Sequence, residues 1–402
     1  MNVGQSFLIR ELDANADVPS DAMSLVFYDE VLAIILIGIW GHTSDRFGRR
    51  LIYATGFSLI MLSMLLCSVA AKTIFPVTFF SFFSSLLAFR LLFSIGCSMV
   101  ASLMTAFLSD IAPPESTGRL AGLVGIASCI GGLTGAIFFP LFPIRIGYFA
   151  LAMFLGLLSI LIFCFFSDCS LPSSCTLSQA KRLGIREIIC VTLRASKSDK
   201  NIFLSYLNSI VSRSVSMINT TLLESWVSSY LSQSPGPNSS KSVVIRLNGT
   251  LQGTSLLMAP IFGIISSRIS PAAATLIAAM LGSIGDFLMV FFAQNPTSNS
   301  QIGVMFLKGA GQIGLIVSGM ALASRHSPKE LRGAVSGAYG FFGAFGIILN
   351  SQLAKWVGAS SALNPFLLLL SWETLLAFFA LAVMLQTKEK RHSGTKKCSI
   401  QI

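Results

Sequence analysis

The fold is decided by the stretch Gly41-His-Thr-Ser-Asp45-Arg46-Phe-Gly48-Arg49-Arg50, which joins two long apolar runs. Its two glycines permit a tight turn and close approach of the flanking helices. Its aspartate lies at the edge of an apolar run, where it can face a helix N-terminus or a cation. Its three arginines can pair with carboxylates or with lipid phosphates. A merely basic loop needs only the arginines, so glycines and an acid at fixed offsets indicate a specific contact.

Composition places the chain in a membrane. The chain has 402 residues, of which 53% are apolar and only 11% are charged, whereas soluble domains contain about 25% charged residues. A chain this long and apolar cannot bury all its apolar side chains away from water. The composition therefore excludes an ordinary soluble enzyme, a disordered protein and a secreted disulfide scaffold. It favours an all-α polytopic protein whose surroundings are a lipid bilayer.

Apolar runs long enough to span a bilayer recur along the chain. A transmembrane helix needs about 20 such residues. We predict eleven spans, of which 77–108 is a single tilted helix: 24–42, 51–71, 77–108, 119–142, 146–167, 202–231, 243–267, 272–294, 301–324, 333–356 and 363–386.

The basic residues predict the orientation. Most Lys and Arg lie in alternate links between spans, which the positive-inside rule places in the cytosol. We therefore expect an outer N-terminal segment (1–23), a bundle of five helices (24–167) and a basic cytosolic linker (168–201). A bundle of six helices (202–386) and a cytosolic tail (387–402) follow. The net charge of +11 follows this topology rather than a basic stripe with aromatics, so nucleic acid is not an expected partner.

The quoted stretch resembles the loop between the second and third helices of the major facilitator superfamily, whose members are secondary transporters with two six-helix halves. The resemblance implies a two-bundle fold, here with five and six helices. It also implies that Asp45 faces the start of the penultimate helix near Gly333, and that Arg49 pairs with Asp110. These contacts would form a gating latch on the cytosolic side.

Two further features bear on this resemblance. Arg90 with Ser94 and Gly96 is similar to the family's fourth-helix signature, with serine at the first glycine position, and in proton-coupled members this arginine is linked to proton transfer. The first of the family's twelve helices has no counterpart in the sequence. We expect either a truncated 5′ end or a protein with lost or altered transport.

Charged side chains inside spans cost several kcal/mol unless they are paired or hydrated. They are candidates for binding substrate or a coupling ion, although a structural ion pair is the alternative. Aromatic and amide side chains in the spans are candidates for lining a cavity. The candidate set is Arg90, Arg213, Asp286, Glu373, Trp226, Asn350 and Gln352.

The sequence offers no catalytic or metal-binding pattern. His42, His326 and His392 are scattered through links and the tail without metal-ligand spacing. No cofactor, metal or enzymatic activity is expected. Asn238 opens an Asn-Ser-Ser sequon in an outer link, which predicts a glycosylation site.

These observations predict a secondary active transporter that moves a small solute by alternating access, with proton coupling. The alternative is a membrane sensor or scaffold of the same fold that does not transport. We expect a monomer. The plasma membrane, the endoplasmic reticulum and the vacuole remain open as locations.

Overall fold

A computed structural model describes most of the chain. The backbone is described at residues 5–6, 8–9, 11, 17–47, 49–69, 82–111, 117–165, 196–197, 199–233, 240–327 and 332–398. Within these ranges the side chains are described except at 37–39, 41–47, 49, 82–85, 102–111, 136–140, 332–334 and 387–398.

The described chain contains eleven long helices and no strand. The first bundle contains α1 (Val18–Phe47), α2 (Arg49–Val69), α3 (Phe82–Ile111), α4 (Thr117–Leu141) and α5 (Ile144–Phe165). The second bundle contains α6 (Lys200–Gln233), α7 (Ser240–Arg268), α8 (Pro271–Phe291), α9 (Ser300–His326), α10 (Arg332–Gly358) and α11 (Asn364–Cys398). The prediction of eleven helices is confirmed.

Helix length and composition suit a bilayer. The shortest of these helices has 21 residues and is about 32 Å long at 1.5 Å per residue, which matches the hydrocarbon thickness. Within the described residues, seven helices are both long and apolar enough to cross a membrane. A helix satisfies its own backbone hydrogen bonds, which is why apolar runs of this length fold as helices in lipid.

Some boundaries differ from the predicted ones. The helix predicted at 24–42 begins at Val18, and the last helix continues to Cys398 rather than ending at 386. Within the predicted outer segment 1–23, Leu8 and Ile9 are buried in the first bundle. Gln5 Nε2 donates a hydrogen bond to the Ala22 carbonyl at 3.3 Å. These described residues therefore pack against the bundle.

The first bundle has a core cluster of its own, whereas the core of the second bundle also includes Met23 and Val26 of α1 and Ala121 and Cys129 of α4. In the first, α2 packs against α3 and α5, and α1 packs against α3. In the second, α8 packs against α9 and α11, while α6 contacts α9, α10 and α11. The bundles meet mainly where α4 packs along α7 and where α1 packs along α10. We call the end of the molecule at which α5 ends and α6 begins the linker end.

Glycines bring α4 and α7 together. A Cβ atom at Gly122 would lie 3.2 Å from the Ala259 carbonyl oxygen and 3.3 Å from the Gly263 Cα atom. A Cβ atom at Gly118, nearer the linker end, would lie 2.9 Å from the Gly263 carbonyl oxygen. Small residues at a membrane helix interface allow backbones to approach this closely. The contact between the two bundles therefore depends on the absence of side chains at these positions.

Candidate functional site: charged groups inside and between the two bundles

The predicted latch lies largely outside the described side chains. Residues 41–47 form the last turns of α1, and Gly48 lies outside the described residues, as do the side chains of Arg49 and Asp110. Arg50 is described, with its guanidinium carbon 4.8 Å from the centroid of the Phe163 ring. The latch therefore stays a prediction, as does the Asn238 site, which falls in the undescribed link 234–239.

The first bundle contains a buried ion pair. Arg90 on α3 pairs with Asp29 on α1, and their side chains are 2% and 9% exposed. The Ser94 hydroxyl, one turn beyond Arg90, donates a hydrogen bond to the Asp29 carbonyl oxygen at 2.5 Å. The serine at the family's glycine position therefore joins α3 to α1. Asp29, five residues into the span predicted at 24–42, is not in the candidate set.

A second pair of opposite charges lies across the two bundles. Arg213 on α6 is exposed, and its aliphatic stem lies against Gly343 of α10, where a Cβ atom would be 2.9 Å from the Arg213 Cγ atom. Glu30 on α1 is half-buried, and Arg213 is the cation that acts on it most strongly. The Glu30 carboxyl group of the first bundle thus lies within electrostatic range of the Arg213 guanidinium of the second.

A third charged group lies within the second bundle. Lys308 on α9, Asp286 on α8 and Glu373 on α11 are 2%, 1% and 1% exposed. The Lys308 ammonium forms an ion pair with Asp286 and lies 4.5 Å from the centroid of the Phe366 ring. The Asp286 and Glu373 carboxyl groups lie close enough to act on each other electrostatically. We call Lys308, Asp286 and Glu373 the buried trio.

The uncharged candidates divide between core and surface. Asn350 is fully buried, donates to the Ser214 hydroxyl at 2.9 Å and accepts from the Trp372 indole at 2.7 Å. Trp226 is buried in edge-to-face contact with Phe366. Both residues therefore tie helices of the second bundle together rather than line an open cavity.

Gln352 is the exception among these candidates. It lies on α10 with an exposed side chain. The structure therefore does not place it with Asn350 or Trp226 in a common site.

A hydrogen bond outside the membrane spans joins the end of α9 to the residue before α6 at the linker end. His326 Nδ1, at the end of α9, lies 3.2 Å from Asp199 Oδ2, just before α6. This hydrogen bond is the main cause that lowers the pKa of Asp199 to about 2. The described residues contain no cluster of His, Cys, Asp and Glu that would hold a metal ion.

Together, the paired bundles and their buried charges define an integral multi-pass membrane protein of the two-bundle transporter fold. The sequence profile of the Major Facilitator Superfamily matches residues 3–351. The chain therefore belongs to the Major Facilitator Superfamily, a family of transporters of small solutes.

Curated relatives resemble the chain to different extents. Magnetosome protein MamH of Paramagnetospirillum magneticum is 22% identical over 339 residues, which cover 82% of this chain and 74% of the relative. The arabinose-proton symporter of Bacillus subtilis is 29% identical over 98 residues, which cover 24% of this chain and 19% of that protein. Multidrug resistance protein 3 of Bacillus subtilis is 27% identical over 103 residues, 25% of this chain and 18% of that protein.

Solved structures share the fold over almost the whole chain. The human organic anion transporter MFSD10 superposes with a TM-score of 0.64 at 17% identity, covering 94% of this chain and 88% of its own. The proton:xylose symporter XylE gives a TM-score of 0.67 at 14% identity, with 95% and 91% covered. The nucleoside transporter NupG gives 0.67 at 12% identity, with 95% and 94% covered.

Proposed function

We propose that this protein is a secondary active transporter that moves a small solute by alternating access, coupled to the movement of protons. The observation that carries the proposal is the pair Glu30 and Arg213, contributed by opposite bundles. Each lies about 18–20 Å along its helix from the helix start, at 1.5 Å per residue, and so in its middle part. Transporters of this type hold substrate near the membrane midplane between two structural repeats.

The contacts between the bundles are compatible with rocking. Gly118 and Gly122 pack against the α7 backbone near the linker end. At the opposite end, Lys355 Nζ on α10 donates to the Ser24 hydroxyl on α1 at 3.0 Å, and this bond is exposed to solvent. Neither of these two contacts places an ion pair between the bundles, and an exposed hydrogen bond contributes little to the stability of a closed end. Either end can therefore open without exposing a buried ion pair.

Proton coupling is supported by buried carboxyl groups. Asp29 and Asp286 are each paired with a cation, whereas Glu373 is a further acid beside an existing pair. An ionised carboxylate in hydrocarbon is costly, so an unbalanced acid favours binding a proton. Two of the proteins similar to this chain are proton symporters by name.

From the resemblance to family members we also propose a location and a gating role for the linker end. We place this end in the cytosol and assign the Asp45, Arg49 and Asp110 side chains to a latch that holds it closed. The non-transporting alternative has less support, because the matching family and the superposing structures are transporters.

Solute uptake into proteoliposomes tests the proposal. Purified protein is reconstituted and offered a library of labelled sugars, nucleosides, amino acids, organic anions and cationic drugs, with and without an inward proton gradient. We expect at least one solute to enter faster than into empty vesicles, and the gradient to drive its accumulation. Entry without any effect of the gradient would contradict coupling. Absence of entry for every class, with folded protein, would favour the scaffold.

A matched pair of variants assigns the solute site. Arg213→Gln is expected to lower uptake about tenfold or more, because a hydrogen bond to a charged group contributes about 1.5–3 kcal/mol. Arg145→Gln, which removes an exposed arginine paired with Glu11 at the surface, is the control and should leave uptake unchanged. Equal uptake by the two variants would remove Arg213 from the solute site.

A further inference from the structure

The buried trio contains more acid than base. Two carboxyl groups, on Asp286 and Glu373, face one ammonium group, on Lys308, and all three side chains are at most 2% exposed. These are the charged groups that act on either acid. With every group ionised the trio carries one net negative charge, which is expensive in a buried membrane setting. One bound proton makes the trio neutral.

The arrangement of the two acids also favours a bound proton. Asp286 and Glu373 repel each other when both are ionised, whereas a proton on one carboxyl group lets it donate a hydrogen bond to the other. The Lys308 ammonium donates to Asp286. Glu373 Oε2 has no hydrogen-bond partner although the side chain is buried. This orphaned oxygen is the position in the trio from which a proton can be taken up or released.

The surrounding helices leave room for these groups. A Cβ atom at Gly282 would collide with the Glu373 carboxyl group, and one at Gly285 would lie 2.8 Å from the Lys308 Cγ atom. Gly282, Gly285 and Asp286 lie on one face of α8, because residues three and four apart are neighbours on a helix. This face of α8 therefore carries Asp286 and two glycines, and the space at the glycines is filled by Glu373 of α11 and Lys308 of α9.

From this geometry we infer that the trio is a proton-binding site in which one exchangeable proton is held between Asp286 and Glu373, with Lys308 as a fixed countercharge. The proton comes from water as hydronium and joins a carboxylate oxygen, and on release it returns to water. The site lies among α8, α9 and α11, away from the Glu30 and Arg213 pair. It deepens the proposed function by assigning where the coupled proton is bound.

Charge balance gives a different proton count for each variant. Wild type holds one proton. Glu373→Gln leaves the Asp286 and Lys308 pair, and Asp286→Asn leaves the Glu373 and Lys308 pair, so each should hold none. Lys308→Met leaves two carboxyl groups without a cation and should hold two. Glu11→Gln, a surface Glu→Gln change outside the trio, should hold one like wild type.

Infrared spectroscopy measures these counts in purified protein without any solute. The C=O stretching band of a protonated buried carboxyl group is recorded in water and in D₂O, together with the protons released per protein when the pH is raised. We expect the band in wild type and Glu11→Gln, its loss in both carboxamide variants, and about twice its intensity in Lys308→Met. The wild-type band should shift in D₂O, because the proton exchanges.

Three results would overturn the inference. They are an unchanged band in Glu373→Gln, the absence of any such band in wild type, and a wild-type band that never shifts in D₂O. An absent or non-exchanging wild-type band refutes the inference even when a variant fails to fold, and the loss of a present band in either Glu373→Gln or Asp286→Asn assigns it to the trio. Since no solute is involved, these results are independent of whether uptake is found. If the site serves coupling, Glu373→Gln will retain solute exchange between two pools and lose accumulation driven by the proton gradient.

Discussion

Replacing Gly118 with alanine tests whether the α4 and α7 contact controls opening at the linker end. The added Cβ atom would lie 2.9 Å from the Gly263 carbonyl oxygen and 2.5 Å from the Ser267 hydroxyl oxygen. The hydroxyl can rotate away, but the backbone oxygen cannot. Ordinary contact begins at 3.4 Å, so the helices must separate by about 0.5 Å. Overpacking of this kind costs about 1–3 kcal/mol, which shifts an equilibrium roughly 5-fold to 150-fold towards the open linker end.

Spin labels at Arg119 and Arg268 report this shift. Both residues are exposed, and Arg119 lies in the first turn of α4 whereas Arg268 is the last residue of α7, both at the linker end. Double electron–electron resonance therefore gives the fractions of molecules with short and long separations. Gly135→Ala on the same helix is the control, because a Cβ atom there meets nothing within 4 Å. Both substitutions replace a glycine of α4 by alanine, so neither lowers helix propensity. An identical distance distribution in the two variants would refute the role of this contact.

Three further substitutions test individual interactions, each by thermal unfolding in detergent. Asp199→Asn should lower the melting temperature at neutral pH. This difference from wild type should disappear as the pH falls from about 4 to about 2, because the Asp199 carboxylate, whose pKa is lowered to about 2, becomes protonated over that interval and its contact with His326 no longer stabilises the fold. A deficit that persists at pH 2 would contradict this. Arg90→Leu should cost about 3–5 kcal/mol by stranding a buried carboxylate on α1, and parental stability would disprove the pairing. Asn350→Leu should cost about 1–3 kcal/mol and shift the emission of Trp372, which loses its acceptor, and an unaltered spectrum would argue against that bond.

The helical architecture follows from the sequence because apolar run length has a direct physical meaning in a bilayer. The run 77–108 was predicted as one helix, and the structure has one helix, Phe82–Ile111. The ends are less predictable. Val18 begins α1 before its apolar run, because helix propensity and packing of the bundle extend a helix beyond the hydrocarbon region.

The partners of the candidate residues could not be read from the sequence. Glu373 and Asp286 are candidates because they lie inside predicted spans, whereas Lys308, eight residues into α9, is not in the candidate set. Pairing depends on which helix faces meet, and hydropathy does not record that. The glycines at 282 and 285 carry the relevant signal, since an i, i+3 glycine pair beside an acid indicates room for side chains from neighbouring helices.

The measurement that tests the central claim most directly is the distance between helices at each end of the molecule, made with two spin-labelled versions of the protein. One version carries labels at Arg119 and Arg268 and reports the distance between α4 and α7 at the linker end. The other carries labels at Ser24 and Lys355 and reports the distance between α1 and α10 at the opposite end. Alternating access predicts two separations for each pair, with the long separation at one end accompanying the short one at the other. A single fixed separation at both ends, or ends that widen together, would contradict a transporter that rocks between two states.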